Sequence, residues 1–165
     1  MRTIINTLIA IFTLFFLNSC SNFKPLYKNN LSSLYKLQEF SIITDKKEIS
    51  KKIKKGLIEL FPVNTKTNYI LKIEGVSETS GILSDTTRKI SRYKTQISAN
   101  VKLYNRFKKY DKLVYEFNEK KDSSYSLIMN NIRSTIASKD KAEATSIRLL
   151  SEEIYRRILV FLSKN

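Results

Sequence analysis

Hydrophobic and polar residues alternate without a break from Tyr93 to Leu103. Tyr93, Thr95, Ile97, Ala99, Val101 and Leu103 fall on one side, and Lys94, Gln96, Ser98, Asn100 and Lys102 on the other. A period of two over this length predicts a strand with one buried face. Shorter alternation predicts strands from Asn68 to Val76 and from about Leu113 to Lys120. A further strand is expected over Tyr35 to Ile43, where the pattern slips between Leu37 and Phe40. Ile49, Ile53, Leu57 and Leu60 recur instead at helical spacing, with lysines between them, and Phe61-Pro62 ends that run. Asp45 followed by Glu48 has the spacing of a capping box, so Asp45 is the expected N-cap. Gly56 inside this helix costs about 1 kcal/mol relative to alanine, which suggests a close approach to the sheet.

From about Lys139 to Ser163 an amphipathic helix is expected, with Ile147, Leu150, Ile154, Ile158, Phe161 and Leu162 on its stripe and Ser138 as its cap. Asp140 and Glu143 would then lie near its positive end. Polar stretches over Ser77 to Thr87 and over residues 122–138 read as loops, and Asn105 to Lys112 as a basic turn. The order is β-α-β-β-β-α. Strands 2, 3 and 4 most simply form an antiparallel meander, and two helices can cover one face. The expected fold class is α+β: a two-layer domain with a four-stranded, largely antiparallel sheet and both helices on one side.

The N-terminus follows a different pattern. Arg2 precedes an apolar run from Ile4 to Leu17, which ends at Leu17-Asn18-Ser19-Cys20. As a helix this run would cover about 21 Å, short of the ~30 Å hydrocarbon core. Polar Ser21-Asn22-Phe23-Lys24-Pro25 follows directly, so a cleaved signal fits better than a spanning helix. Cys20 is the only cysteine and stands where the apolar run stops. That layout resembles a lipoprotein signal, and the resemblance implies that residues 1–19 are removed and that Cys20 receives a diacylglycerol on sulfur and an acyl chain on its new amino group. Residues 20–34 are then a lipidated tether and residues 35–165 a single domain. In lipoproteins generally an Asp after the cysteine favours retention in the inner membrane; Ser21 stands there, so the resemblance implies delivery to the outer membrane. The competing reading is an ordinary signal peptide with an incidental cysteine.

Charge narrows the partners. Lys+Arg number 30 against 15 Asp+Glu, a formal +15. Such an excess favours an anionic partner, and export turns the expectation from nucleic acid to phosphorylated envelope lipids. A Lys-, Asn- and Ile-rich composition also fits a genomic base bias. Nucleophilic catalysis of the Ser-His or Cys-His kind lacks its base, because histidine is absent. Zinc sites built from Cys and His are excluded on the same ground. The three glycines form no phosphate-cradling motif. No catalytic residue, metal ligand or cofactor is expected, although a Ser-Lys dyad is not ruled out by sequence. Arg88, Lys89, Arg92 and Lys94 form the densest basic patch around an aromatic residue. Lys102 shares the polar face of the same strand. These five are the candidate ligands for lipid phosphates, through charge-assisted hydrogen bonds; the alternative is a solvated sheet face. Two further basic runs, Arg106-Lys108-Lys109-Lys112 and Lys51-Lys52-Lys54-Lys55, read as solvated surface.

Cys20 followed by Phe23-Lys24-Pro25-Leu26-Tyr27 resembles the mature start of the LptE family of lipopolysaccharide-assembly lipoproteins, alphaproteobacterial members above all. These often begin Cys-Gly-Phe, then a basic residue, then Pro-Leu-Tyr. Here Ser21-Asn22 replaces the glycine. The order of later features also agrees: a long alternating strand around Arg92-Tyr93-Lys94, then Ser123-Ser124-Tyr125, then a helix carrying Glu152-Glu153-Ile154. The alanine-rich helix usual in such relatives is Lys-, Ile- and Leu-rich here. The resemblance implies a non-catalytic α+β lipoprotein on the periplasmic side of the outer membrane, plugging the LptD β-barrel and binding lipopolysaccharide. Alternatives from other classes are a stand-alone periplasmic adaptor that binds another envelope protein, a Ser-Lys hydrolase, and a nucleic-acid binder. The last fails if Cys20 is lipidated.

Overall fold

The computed structural model describes residues 40–61, 68–83, 90–107, 110–128 and 131–164. Cys20, the tether and Tyr35 to Glu39 lie outside them, as do Arg88 and Lys89. Within the described residues the chain runs β1 (Phe40–Thr44), α1 (Glu48–Ile58), β2 (Tyr69–Leu83), β3 (Ile90–Arg106), β4 (Asp111–Ser126) and α2 (Ile132–Lys164). The sheet order is β1-β2-β3-β4. β1 is parallel to β2, because α1 carries the chain back between them, and the other pairs are antiparallel. The expected α+β architecture is the observed one.

The buried face is the one read from alternation. Ile97, Ala99, Val101 and Leu103 of β3 are buried, with Leu71 and Ile73 on β2 and Phe117 on β4. Ile53, Leu57 and Phe61 close this core from the α1 side, and Leu150, Ile154, Ile158 and Leu162 from the α2 side. Aromatic contacts bind the C-terminal half of α2 to the sheet and to the end of α1. Tyr115 stacks on Phe161 with ring centres 4.6 Å apart, and Tyr155 meets Phe61 edge-on at 5.1 Å. Charges tie the edge of α2 to β4. The Arg157 guanidinium lies 2.7 Å from the Glu119 carboxylate without hydrogen-bond geometry, so this contact is charge pairing. Arg157 also sits over the Phe117 ring at 5.3 Å.

Element boundaries differ from expectation in four places. β2 continues through the stretch read as a loop, as far as Leu83, and β4 continues to Ser126. α2 starts at Ile132, inside the second expected loop. In each case the residues are polar on both faces or on most of the helix surface, so no buried stripe marks them. Backbone pairing extends the sheet without one. Asp45 is not the cap of α1. Lys47 occupies that position in extended conformation with no side-chain cap bond, and Asp45 pairs with Lys47 at 3.7 Å. Ser138 is not the cap of α2. Asn131 takes that role, its side-chain oxygen accepting the Ser134 N–H at 3.0 Å, and Glu143 lies well inside the helix, where it pairs with Lys52.

The two inter-element glycines are placed by packing. A Cβ on Gly56 would stand 2.8 Å from Ser151 Oγ, so Gly56 brings α1 against α2 rather than against the sheet. Gly75 is the residue that brings the sheet to α1. Its N–H points past the end of β1 and donates to buried Ser50 Oγ at 2.8 Å.

Candidate functional site

The strand register decides which basic residues stand together. On the sheet face away from the helices, Arg92 lies in the row Ile82–Arg92–Ser126 and Lys94 in the row Ser80–Lys94–Ser124. Lys102 lies eight positions further along β3, about 26 Å from Lys94 at ~3.3 Å per residue. The described members of the predicted patch therefore divide into Arg92 and Lys94 at one end of the sheet and Lys102 near the other. Arg88 and Lys89 lie outside the described residues.

Cross-strand carboxylates reach two of these cations. Lys94 Nζ is 3.2 Å from Asp122, and Lys102 Nζ is 3.5 Å from Glu116. Asn100 donates to Asn118 at 2.9 Å and to Glu116 at 3.3 Å, so this face is a laced polar surface. Both ion pairs are exposed and contribute little to stability. They do lower the local positive potential that a phosphate would meet. Arg92 is exposed, and no carboxylate among the described residues lies within ion-pair distance of it. Two of the other basic runs are also partly spoken for. Lys52 bonds Glu143 at 2.8 Å and Glu48 at 3.0 Å, and these hydrogen bonds hold its ammonium above the usual lysine range. Arg106 lies 4.0 Å from Asp111.

Beside Arg92, the end of the domain where β4 passes to α2 carries an apolar surface that sequence reading missed. Ile82, Leu127, Ile128, Ile132 and Ile136 are all exposed, Ile132 by 79% and Ile136 by 52%. Local hydrogen bonds fix Leu127 and Ile128, between β4 and α2. The Leu127 N–H donates to the Ser91 carbonyl at 3.0 Å, and the Ile128 N–H to Thr135 Oγ1 at 3.1 Å. Ile128, Ile132 and Ile136 recur every four residues, which is the signal that could have found this surface inside the expected loop. Arg133 stands exposed among them. Apolar patches with this much exposed aliphatic surface mark sites of interaction. Arg133 stands between Ile132 and Ile136 along α2, and Arg92 follows Ser91, whose carbonyl holds Leu127, so this end offers the aliphatic and guanidinium chemistry that the chain and phosphate of an anionic amphiphile would meet. Among the described residues no group of three or more His, Cys, Asp or Glu could hold a metal ion, and no helix is long and apolar enough to cross a membrane.

No protein-family model matches the chain, and no curated protein matches it by sequence. Solved structures match by fold. A candidate lipoprotein of Caulobacter crescentus CB15 aligns with TM-score 0.65 at 11% identity, over 81% of this chain and 96% of its own. A minor lipoprotein of Acinetobacter baumannii aligns with TM-score 0.59 at 12% identity, over 75% of this chain and 92% of its own. An uncharacterized lipoprotein B of Nitrosomonas europaea aligns with TM-score 0.54 at 14% identity, over 75% and 83%. At these identities the likeness establishes a shared fold.

Proposed function

We propose that this protein is a lipid-anchored, non-catalytic lipoprotein of the outer membrane that partners the LptD β-barrel in lipopolysaccharide assembly. The observation that carries this reading is the coincidence of two independent features: a lone Cys20 closing the N-terminal apolar run, and a domain fold shared with bacterial lipoproteins. The Cys20-to-Tyr27 motif supplies the family and its barrel partner. The exposed isoleucine surface beside Arg92 and Arg133 supports the contact with lipopolysaccharide, an amphiphile whose phosphates and acyl chains match those two chemistries. The residues assigned to that contact are therefore Arg92 and Arg133 with Ile132 and Ile136, joined by Arg88, Lys89 and Lys94 from the basic patch. Lys102, eight positions along β3 from Lys94, is dropped from it.

A mild-detergent pull-down of the full-length protein from native envelopes, read by mass spectrometry, tests the partnership. Recovery of a large outer-membrane β-barrel near one-to-one is the expected result. Incorporation of labelled palmitate that disappears in Cys20→Ser tests the anchor. Charge reversal of Arg92 together with Arg88, Lys89 and Lys94 should weaken binding of purified lipopolysaccharide, and unchanged affinity in the folded variant would remove the patch. The pairing of Lys94 and Lys102 with carboxylates favours one second reading, a stand-alone adaptor that binds another envelope protein without lipid. Recovery of a different partner, with no barrel and no bound lipid A, would establish that reading instead.

A further inference from the structure

Beyond its aliphatic core, the helix-side face of the sheet changes chemistry. Its last two complete rows are Thr79–Thr95–Ser123 and Gly81–Tyr93–Tyr125. The first is a line of hydroxyls. In the second, Tyr93 and Tyr125 stack with ring centres 5.5 Å apart and planes 16° from parallel. Gly81 places no side chain across from Tyr93 and is itself exposed. α2 overhangs the β4 side, where Ser138, Ala142 and Thr145 face Ser123 and Tyr125 across a cleft of about 380 Å³. Deeper in the fold, Thr95 Oγ1 in the Ser123 row and Ser146 Oγ next to Thr145 are fully buried without a hydrogen-bond partner, and neither lines the cleft. An unpaired buried hydroxyl is costly, and native folds keep few without a reason.

We infer that this cleft binds a single pyranose ring of a glycan, laid against Tyr125, which Tyr93 backs, and hydrogen-bonded by the hydroxyls of Ser123, Ser138 and Thr145. Hydroxyls both donate and accept, which matches a sugar, whose own hydroxyls do the same. The electron-rich faces of the tyrosine rings suit the slightly positive C–H bonds on one side of a pyranose. Burial, with the neighbouring Tyr93 adding to it, raises the Tyr125 pKa and keeps its phenol neutral. Among the described residues Lys141 is the only charged one lining the cleft, one cation against the several charges of a nucleotide's phosphates, and the Ser123 and Ser138 hydroxyls would find no partner in an acyl chain. The cleft lies near the lower end of the ~300–1,000 Å³ typical of ligand sites, enough for one ring and water. A ring held there requires no barrel partner, so this inference goes beyond the proposed function.

The test is a titration of full-length protein in a detergent without a sugar headgroup, followed by amide and tyrosine NMR shifts. One arm uses the lipid-free core oligosaccharide of lipopolysaccharide; the other uses chitotetraose, a stretch of glycan with no lipid origin. Saturable shifts centred on residues 79–81, 93–95, 123–126 and 138–146 are expected. Saturation by the first sugar alone identifies a lipid-linked glycan as the source, and saturation by both identifies a general glycan site. Tyr125→Ala should weaken binding about tenfold or more, while Tyr93→Phe, which keeps the ring, should hold it within about threefold. Ser123→Ala should weaken binding without lowering the melting temperature, which separates a ligand contact from a folding defect. No saturable shift with either sugar, shifts centred elsewhere, or full affinity in folded Tyr125→Ala would overturn the inference.

Discussion

Gly75→Ala probes how the sheet and α1 are held together. A Cβ built on Gly75 stands 2.6 Å from Ile49 Cγ2, 2.8 Å from Ile53 Cδ1 and 3.2 Å from Ser50 Oγ. Ordinary carbon contacts lie near ~3.5–4.0 Å. Ile53 Cδ1 is the end of a side chain and can turn away at the cost of an off-rotamer angle, about 0.5–1.5 kcal/mol. Ile49 Cγ2 is fixed to a β-branched carbon with one strongly preferred rotamer in a helix, so there the backbone of α1 has to move. Overpacking of this kind costs about 1–3 kcal/mol. The alanine returns about 0.4–1 kcal/mol by restricting the unfolded chain. The net expectation is destabilisation by about 1.5 kcal/mol, or a fall of roughly 5 °C in the melting midpoint of a domain this size. Thermal and urea unfolding followed by circular dichroism measure it. Ile53→Val removes one of the two clashing methyls, so Gly75→Ala combined with Ile53→Val should cost less than the sum of the single changes. A Gly75→Ala protein as stable as the parent, or strict additivity in the pair, would refute the close-packing account.

Three further outcomes are expected. Ser50→Ala leaves the buried Gly75 N–H without its 2.8 Å acceptor and should cost about 1–3 kcal/mol in urea unfolding, whereas exposed Lys51→Ala should change it by less than about 0.5 kcal/mol. Asn131→Ala removes the acceptor of the Ser134 N–H and should cost about 1 kcal/mol, with amide exchange accelerating in the first turns of α2 and unchanged over residues 150–162. The Glu153 carboxyl is held below the usual carboxylate range, first by its hydrogen bond from Arg156. Its stabilisation is therefore complete above the unfolded value of about 4.3 and is lost as the pH falls through the lower folded value. The gap in melting temperature between the parent and Glu153→Gln should be present at neutral pH and close under acid; a gap that persists at the lowest pH would count against the pairing.

Sequence by itself determined where one-sided burial exists. The Tyr93–Leu103 alternation and the 147–162 stripe are legible because water is excluded from one side of each element, and exclusion selects residue types at the element's own period. The lone Cys20 at the end of an apolar run and the net charge are legible for a similar reason, since each is a property of the chain before it folds. Boundaries were lost where burial gives no such selection. The distal halves of β2 and β4 are held by backbone bonds to β3, which any polar sequence can make, and the first turns of α2 carry their isoleucines toward solvent. Only the tertiary structure decided the site. Register sets Asp122 beside Lys94 and Glu116 beside Lys102, spending two cations of a patch that looked continuous along the chain. The same register sets Gly81 across from stacked Tyr93 and Tyr125, and the length of α2 roofs the β4 side of that row. These are contacts between residues far apart in sequence, fixed by how strands align and where a helix ends, and no local pattern encodes them.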